Sequence, residues 1–320
     1  MFEKLKSIWN PAGFHALYSK APFFEGWFYR FTDSAQRNSI AVIPGFFRSA
    51  SSQEHAFIMT LDGQTNHTEY YTFDKSQLNA SLHSPAFSIG ANHFDKNRVH
   101  MELDSLYGDL RFSDLHPWPL TWSSPGTMGK YAFVPFMQCY HAVLSFSHTL
   151  TGSLNISQRR VNFDNGKGYI EKDWGSGFPC AYVWLQSQHF KAKNCSLMAS
   201  VAHIPWLKHY FPGFIIGLAY ADRFYSFTSY NGSVIRTCRI TKDRVSILAQ
   251  KQRYEIDIHA GRKPGGILYA PVKDRMQPAV KETLNSTISM TLRQNNKILL
   301  QTEGNNGGLD VYGDINCLLK

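Results

Sequence analysis

The sequence predicts an all-β protein made of two antiparallel β-barrel or sandwich halves. Alternating apolar and polar residues, rich in Tyr, Phe, Val, Ile and Thr, recur along the whole chain, whereas helical periodicity is scarce. Gly, Asn and Asp turn signals separate these segments. Aromatic residues make up 14% of the chain and charged residues only 18%. Typical domains have about 25% charged residues, so this composition excludes a disordered chain or a coiled coil.

The strand candidates follow one another in order along the chain. Those before residue 180 are 39–47, 55–61, 69–73, 98–103, 107–112, 143–154 and 168–173. Those after it are 181–190, 196–203, 214–220, 224–230, 233–240, 245–249, 254–260, 287–292 and 297–303. Strands this short and closely spaced favour sandwiches or barrels over alternating strands and helices.

Chain length and strand number together predict two domains. Roughly sixteen strands exceed what one small barrel closes over, and 320 residues are enough for two domains of ordinary size. Because the apolar pattern is interrupted between residues 154 and 168, we expect an N-terminal β domain over 1–160 and a C-terminal one over 161–320. The Pro- and Gly-rich stretch 113–135 is predicted to be an irregular crossing, and so long a connection is usually functional.

Charge and cysteine usage restrict the partners and the compartment. The net charge is +9, but the basic residues are scattered and not interleaved with aromatics, which argues against nucleic-acid binding. A basic surface can still contact anionic membranes peripherally. Five cysteines without a CxxC motif or zinc-type spacing predict reduced thiols and no metal site. With no signal-peptide core and no long apolar stretch, we expect a cytoplasmic protein.

The segment 23–30 carries the first candidate site residues. Glu25, Trp27 and Tyr29 share one face of the predicted strand. A carboxyl beside Trp and Tyr on an inward face would be desolvated, which would raise its pKa and let it donate a proton near neutral pH. The alternative is that Glu25 pairs with Arg30 or with a backbone N–H.

The segment 136–141 carries two more candidates. His141 shares a strand face with Cys139, and Tyr140 shares the other face with Gln138. A neutral histidine can orient a phenol or relay a proton. The alternative is a core histidine that is satisfied by a backbone carbonyl.

The segment 168–179 carries the strongest candidates for a catalytic acid. Glu171 and Asp173 fall on one face, and Lys172 and Trp174 fall on the other. Two carboxylates about 7 Å apart on one strand face raise one another's pKa, so that one can act as an acid. We rank Asp173 first, Glu171 second and Glu25 third. The alternative is that Lys172 and backbone donors neutralise the turn; no histidine adjoins these carboxylates in sequence, so their spacing is not a metal signature.

The segment 181–190 places Trp184 and Gln186 on one face with other aromatic and amide side chains, as in a pocket wall. The alternative is a buried wall without function. Nucleotide-binding loops, the GxSxG motif and the HExxH motif are missing from the sequence, so we expect no cofactor. The chemistry that the sequence still supports is acid–base catalysis in an aromatic cavity, which suits apolar substrates with one or two polar groups.

Four motifs, in order, resemble the tocopherol cyclase family over residues 23–231: FFEGWFYR, SPGTMGKYAFVPFMQCYHAVLSF, GYIEKDWGSGFP and YVWLQSQHF. The resemblance implies two lipocalin-like, calycin-type halves packed together, as in related carotenoid hydratases and fungal cycloaddition enzymes. It also implies closure of a chromanol ring, in which an acid protonates the double bond of a prenylated hydroquinone and the phenol oxygen traps the tertiary cation. Gln138 departs from the family pattern, which often has Glu there.

The resemblance also implies roles for the remaining candidates. The cation would be stabilised by the aromatic faces of Trp27, Trp174 and Trp184. The phenol would be held by Tyr29, His141 or Gln186, with Gln138 as a further substrate contact. Two functions stay open: an intramolecular lyase acting on a prenylquinol or a related isoprenoid, and a lipocalin-like carrier that holds an apolar ligand without turning it over.

Overall fold

The computed structural model describes residues 8–80, 85–121, 124–135, 137–272 and 274–319. Its strands form two antiparallel sheets, which confirms the all-β prediction. The helical elements are short 3₁₀ turns at Ala16–Tyr18, Lys75–Gln77, Gly129–Phe133 and Ile315–Leu319. Within the described ranges, no helix is both long enough and apolar enough to cross a bilayer.

The first sheet contains twelve strands in the described part of the chain. They are β1 (Phe23–Thr32), β2 (Ser39–Arg48), β3 (Glu54–Asp62), β4 (Thr68–Phe73), β5 (Leu78–Ala80), β6 (Phe87–Ile89), β7 (Asn92–Phe94), β8 (Arg98–Glu102), β9 (Leu106–Ser113), β10 (Cys139–Ile156), β11 (Arg159–Asn162) and β12 (Lys167–Gly175). Their order is β4-β3-β2-β1-β12-β10-β9-β8-β7-β6-β5, with β11 paired to β10.

The second sheet follows in sequence. Its strands are β13 (Ala181–Ser187), β14 (Cys195–Trp206), β15 (His209–Tyr220), β16 (Arg223–Thr228), β17 (Val234–Ile240), β18 (Arg244–Lys251), β19 (Tyr254–Gly261), β20 (Gly266–Val272), β21 (Arg275–Gln294) and β22 (Lys297–Gly313). Their order is β16-β15-β14-β13-β22-β21-β19-β18-β17, with β20 paired to β21.

Each sheet has its own apolar core, built by the alternation that predicts the strands. In the first, every second residue of β1 faces the core, including Trp27, Tyr29 and Phe31. In the second, Val183 and Leu185 of β13 pack with the alternating residues of its neighbours. A one-residue shift in register would turn these side chains to the opposite face, so burial fixes the pairing.

Two compact units form, but the predicted boundary between residues 160 and 161 is wrong. The first unit runs to Phe178 and includes Leu268–Ala279; the second comprises Pro179–Ile267 and the chain from Val280. The interruption near residue 160 is the turn between β10 and β11, and β12 then pairs with β1 and β10 in the first sheet. A tight turn inside a sheet produces the same break in apolar pattern as a linker.

The stretch 113–135 is irregular in its described part, as predicted. It contains an isolated bridge between Thr121 and Ser124 and the 3₁₀ turn Gly129–Phe133. Residues 122 and 123 of this stretch, and Phe136 after it, lie outside the described residues.

Candidate active site

Strand β12 lies between β1 and β10, and this pairing assembles the candidate site. In the antiparallel register His141 is opposite Asp173, and Glu25 is opposite Trp174. Directly opposed residues of neighbouring strands project to the same face of a sheet. The two faces of β12 therefore carry two separate polar clusters, one around Asp173 and one around Lys172.

The first cluster, here called the acid cluster, consists of His141, Glu171 and Asp173. The Nδ1 atom of His141 is 2.9 Å from Oδ1 of Asp173, and its Nε2 atom is 3.7 Å from Oε2 of Glu171. The hydroxyl of Tyr169 donates a hydrogen bond to Glu171, and the Cys139 sulfur lies 3.8 Å from Oδ1 of Asp173. The expected pair of carboxylates is thus a triad with an imidazole between them.

Charge in the acid cluster is set by burial and by the two carboxylates. Burial lowers the pKa of His141, but Asp173 and then Glu171 outweigh this effect and raise it to about 9. His141 is therefore a cation at neutral pH, and its Nδ1–H donates to Asp173. Burial, with the nearby carboxylates, raises the pKa of the Tyr169 phenol and of the Cys139 thiol, so both stay protonated.

Although no histidine adjoins these carboxylates in sequence, one lies beside them in three dimensions. His141 reaches Glu171 and Asp173 from a neighbouring strand, and their ligand atoms lie within 4.8 Å of one another, close enough to hold a cation. Sequence spacing does not reveal this grouping because the histidine is 32 residues away from Asp173.

The second cluster, which consists of Lys172, Glu25 and His15, lies on the opposite face of β12; Lys172 and Glu25 are fully buried, and His15 is nearly so. The Lys172 ammonium is 2.5 Å from Oε1 of Glu25 and 2.7 Å from Nδ1 of His15, and it also donates to the carbonyl of Gly13. The backbone N–H groups of His15 and Ala16 donate to the Glu25 carboxylate at 2.8 to 3.0 Å. All groups of this cluster are thus committed to one another.

The predicted rise in the pKa of Glu25 is wrong. Burial raises it, but the charge of Lys172 and the hydrogen bond and charge of His15 together hold it below its ordinary value. Burial likewise lowers the pKa of Lys172 to about 8, while Glu25 opposes that fall. The alternative pairing with backbone N–H groups is found, whereas Arg30 projects to the other face of β1 from Glu25, as strand alternation requires.

The aromatic candidates of β1 lie in the core of the first unit. The Trp27 ring lies 4.4 Å from the Phe87 ring and 4.4 Å from the Lys172 ammonium. Tyr29 packs among Phe94 and Phe112, and its burial raises the pKa of its phenol. Trp174, by contrast, is half-buried, with its ring 4.9 Å from the Lys172 ammonium.

Gln138 is committed to backbone contacts. The side-chain Nε2 of Gln138 donates to the backbone carbonyl of Phe178 at 2.9 Å, and the backbone carbonyl of Gln138 accepts from the N–H of Ser176 at 2.9 Å. These bonds hold the loop that follows β12.

Trp184 and Gln186 lie on β13 of the second unit, and Gln186 donates to Gln188 there. Their predicted contact with substrate stays a prediction.

A cavity of about 690 Å³ opens beside the ends of β10 and β12 in the first unit. Most of its lining is aromatic or apolar, and includes Phe23, Pro125, Met128, Phe133, Met137, Tyr140 and Trp174. The irregular stretch expected to be functional supplies part of this lining. The titratable side chains that line the cavity include His15 and His141. His15 is not among the residues predicted from the sequence, because nothing in the N-terminal segment distinguishes it. His141 therefore belongs both to the acid cluster and to the cavity wall.

Comparison with known proteins identifies the family of this chain. The family model described as tocopherol cyclase-like matches residues 110–313. The chain belongs to the tocopherol cyclase-like family. The family resemblance carried by the four motifs is thereby confirmed. In this tocopherol cyclase-like chain, the matched range contains the whole acid cluster but not Glu25.

Two plant proteins are similar to this chain over part of their length. The chain is 25% identical over 206 residues to a probable chloroplastic tocopherol cyclase of Oryza sativa subsp. japonica, covering 61% of this chain and 44% of the relative. It is 25% identical over 202 residues to the chloroplastic tocopherol cyclase of Zea mays, covering 58% and 42%. The chain thus spans less than half the length of these relatives.

The solved structure of CghA with Sch210972 superimposes with a TM-score of 0.60 at 10% identity, covering 91% of this chain and 89% of that one. At this identity the likeness shows the fold alone, and it agrees with the predicted lipocalin-like class. In the described residues, the end strands β4 and β5 of the first sheet do not pair with each other, so that sheet does not close into a barrel.

Proposed function

We propose that this chain closes a ring on a prenylated hydroquinone or a related isoprenoid, by protonating a double bond and trapping the cation with a phenol oxygen. One observation carries the proposal: the protonated His141 is shared by the acid cluster and the wall of an aromatic cavity. Family membership supports the reaction class. The apolar lining suits an isoprenoid tail and so supports the proposed substrate class.

The His141–Asp173 pair is the proposed proton donor. Below pH about 9 His141 carries a proton on each ring nitrogen: Nδ1–H is bonded to Asp173 at 2.9 Å, and Nε2–H, which has no hydrogen-bond acceptor among the described residues, is the proton available for transfer. The π electrons of the substrate double bond form a new C–H bond with this proton, which leaves a tertiary carbocation. The assignment keeps Asp173 in the acid but makes it act together with His141, because Asp173 contacts an imidazolium that carries the proton.

The lining offers the cation an aromatic surface. The rings of Tyr140 and Trp174 are stacked with centroids 5.5 Å apart, and both belong to the cavity wall. The negative face of an aromatic ring attracts a cation within about 6 Å. A wall of this kind stabilises the carbocation, and the Tyr140 hydroxyl is engaged in a hydrogen bond to the carbonyl of Val134.

His141 is also the proposed base, because it is the member of the acid cluster on the cavity wall and is a neutral imidazole once it has given up its proton. As the phenol oxygen bonds to the carbocation, its proton returns to His141, and the carboxylates of Glu171 and Asp173 stabilise the imidazolium that forms again. One proton enters the substrate at carbon and one leaves from oxygen, so the product is an isomer of the substrate. Glu171 is held in place for this role by the hydrogen bond from Tyr169.

The test is incubation with prenylated hydroquinones of several tail lengths, followed by chromatography for an isomer of unchanged mass. We expect His141→Asn to lose about a hundred- to ten-thousand-fold in rate, as is typical when a general acid is removed. His93→Asn, at an exposed position of β7, is the matched control and should keep wild-type turnover. Binding across the panel without any isomer would contradict the proposal and favour the carrier function.

A further inference from the structure

A second group of side chains with metal-ligand chemistry lies in the second unit and contains no residue used above. It consists of Cys180, His203 and Cys317, here called the thiol cluster. The sulfur of Cys180 is 3.2 Å from Nδ1 of His203, and the three ligand atoms all lie within 4.8 Å of one another. The three residues come from distant parts of the sequence, so spacing alone predicts no such site.

The topology of the second sheet brings the thiol cluster together. Strand β13 pairs with β14 on one side and with β22 on the other. Cys180 immediately precedes β13, so it lies at the same end of the sheet as His203 of β14 and as the turn that follows β22. Cys317 lies in that turn, Ile315–Leu319, which is anchored by the fully buried Leu318.

The geometry points to a Zn²⁺ site at the thiol cluster. Tetrahedral Zn²⁺ with Zn–S of about 2.3 Å and Zn–N of about 2.0 Å sets sulfur and nitrogen about 3.5 Å apart and two sulfurs about 3.8 Å apart. In the thiol cluster, the sulfur-to-nitrogen distance of 3.2 Å between Cys180 and His203 is close to the first value, and all three ligand atoms lie within 4.8 Å of one another. The His203 ring is held by stacking on Tyr210, at 4.5 Å and 6°. The side chains therefore need only small rotations to coordinate the ion.

The ligand chemistry selects the ion. Thiolate and imidazole ligands favour Zn²⁺ over Mg²⁺ and Ca²⁺, which require oxygen ligands. Binding releases the two thiol protons, so two thiolates neutralise the double charge of Zn²⁺ while His203 binds as the neutral imidazole. Cys180 is exposed, and water can therefore occupy the fourth position. A bound ion would fasten the C-terminal turn to the strands β13 and β14.

The experiment uses the full chain under reducing conditions. We expect about one Zn²⁺ per chain to remain after gel filtration, and added Zn²⁺ to raise the midpoint of thermal unfolding, because an ion that binds only the folded state stabilises it. Co²⁺ in its place should give sulfur-to-metal charge-transfer absorption. Cys180→Ser, His203→Asn and Cys317→Ser should each lose stoichiometric Zn²⁺ and the shift in midpoint.

Three controls separate this site from other causes. Cys238→Ala removes a buried thiol outside the thiol cluster and should keep Zn²⁺, as should His209→Asn at the exposed start of β15. The acid cluster is the other grouping of potential metal ligands in the described residues, and Asp173→Asn disrupts it. Zn²⁺ that is bound at the thiol cluster should therefore remain in Asp173→Asn. The inference is overturned if the thiol-cluster variants retain as much Zn²⁺ as wild type, or if the reduced chain takes up no Zn²⁺.

Discussion

Replacing Asp173 by Asn tests the electrostatics on which the proposed acid depends. The substitution keeps the shape of the side chain and removes its charge. The pKa of His141 is about 9, and an ordinary histidine has about 6.5. At about 1.36 kcal/mol per unit, the difference corresponds to about 3 kcal/mol. Since burial works in the opposite direction, the carboxylates contribute more than this net value. We therefore expect Asp173→Asn to lower the pKa of His141 by more than about one unit.

The assay is an NMR titration of the histidine rings, with the His141 signal assigned from its absence in His141→Asn. Turnover of the Asp173→Asn variant should fall about a hundred- to ten-thousand-fold. Asp109→Asn is the control, since Asp109 pairs with the half-exposed His100 on the same sheet and should leave the pKa of His141 unchanged. A wild-type pKa near 6.5, or the same pKa in Asp173→Asn, would refute the assigned charge state.

The same shift predicts how stability depends on pH. The pKa of His141 is higher in the folded chain than in the unfolded one, so its stabilisation is complete below pH about 6.5 and disappears as pH rises through about 9. Urea unfolding at a series of pH values should show this loss, about 3 kcal/mol at most, and should show less of it in Asp173→Asn. Equal pH profiles for the two chains would contradict the prediction.

Three further predictions follow from the first unit and from the overall charge. Lys172→Met should destabilise the chain by about 3–5 kcal/mol in urea unfolding, because it leaves the buried Glu25 carboxylate without its cation. The double variant with Glu25→Gln should recover part of this loss, and a single variant as stable as wild type would count against a buried ion pair. Gly168→Ala should lower the free energy of unfolding by about 1–3 kcal/mol, because its new methyl group would lie 2.0 Å from Nε2 of His148. Adding His148→Ala should relieve that clash, and an unchanged midpoint of thermal unfolding in Gly168→Ala would disprove the contact. With a net charge of +9, the chain should float with anionic vesicles in a manner that weakens as salt rises, and binding indifferent to salt and lipid charge would exclude this contact.

Strand alternation predicts the all-β class because each sheet buries one face. The same alternation correctly separates the face of β12 that bears Glu171 and Asp173 from the face that bears Lys172 and Trp174. Such faces are local properties, since successive residues of a strand point to opposite sides. The candidate acid residues and the family resemblance both follow from information within short segments.

Long-range pairing limits what the sequence predicts about the site. The contact of His141 with Asp173 depends on the register of β10 against β12, and the burial of Glu25 against Lys172 depends on the register of β1. Both registers are fixed by the packing of whole sheets. His15 enters the second cluster from a segment with no periodic pattern, so no local signal predicts it.

The most direct test of the proposed function is turnover of a prenylated hydroquinone in deuterium oxide. If the acid cluster protonates the double bond, each molecule of product should carry one deuterium that does not exchange, on the carbon that received the proton. The product made in ordinary water should have the mass of the substrate. His141→Asn should form this labelled product far more slowly than wild type. A cyclised product without carbon-bound deuterium, or substrate that binds and is released unchanged, would contradict the account.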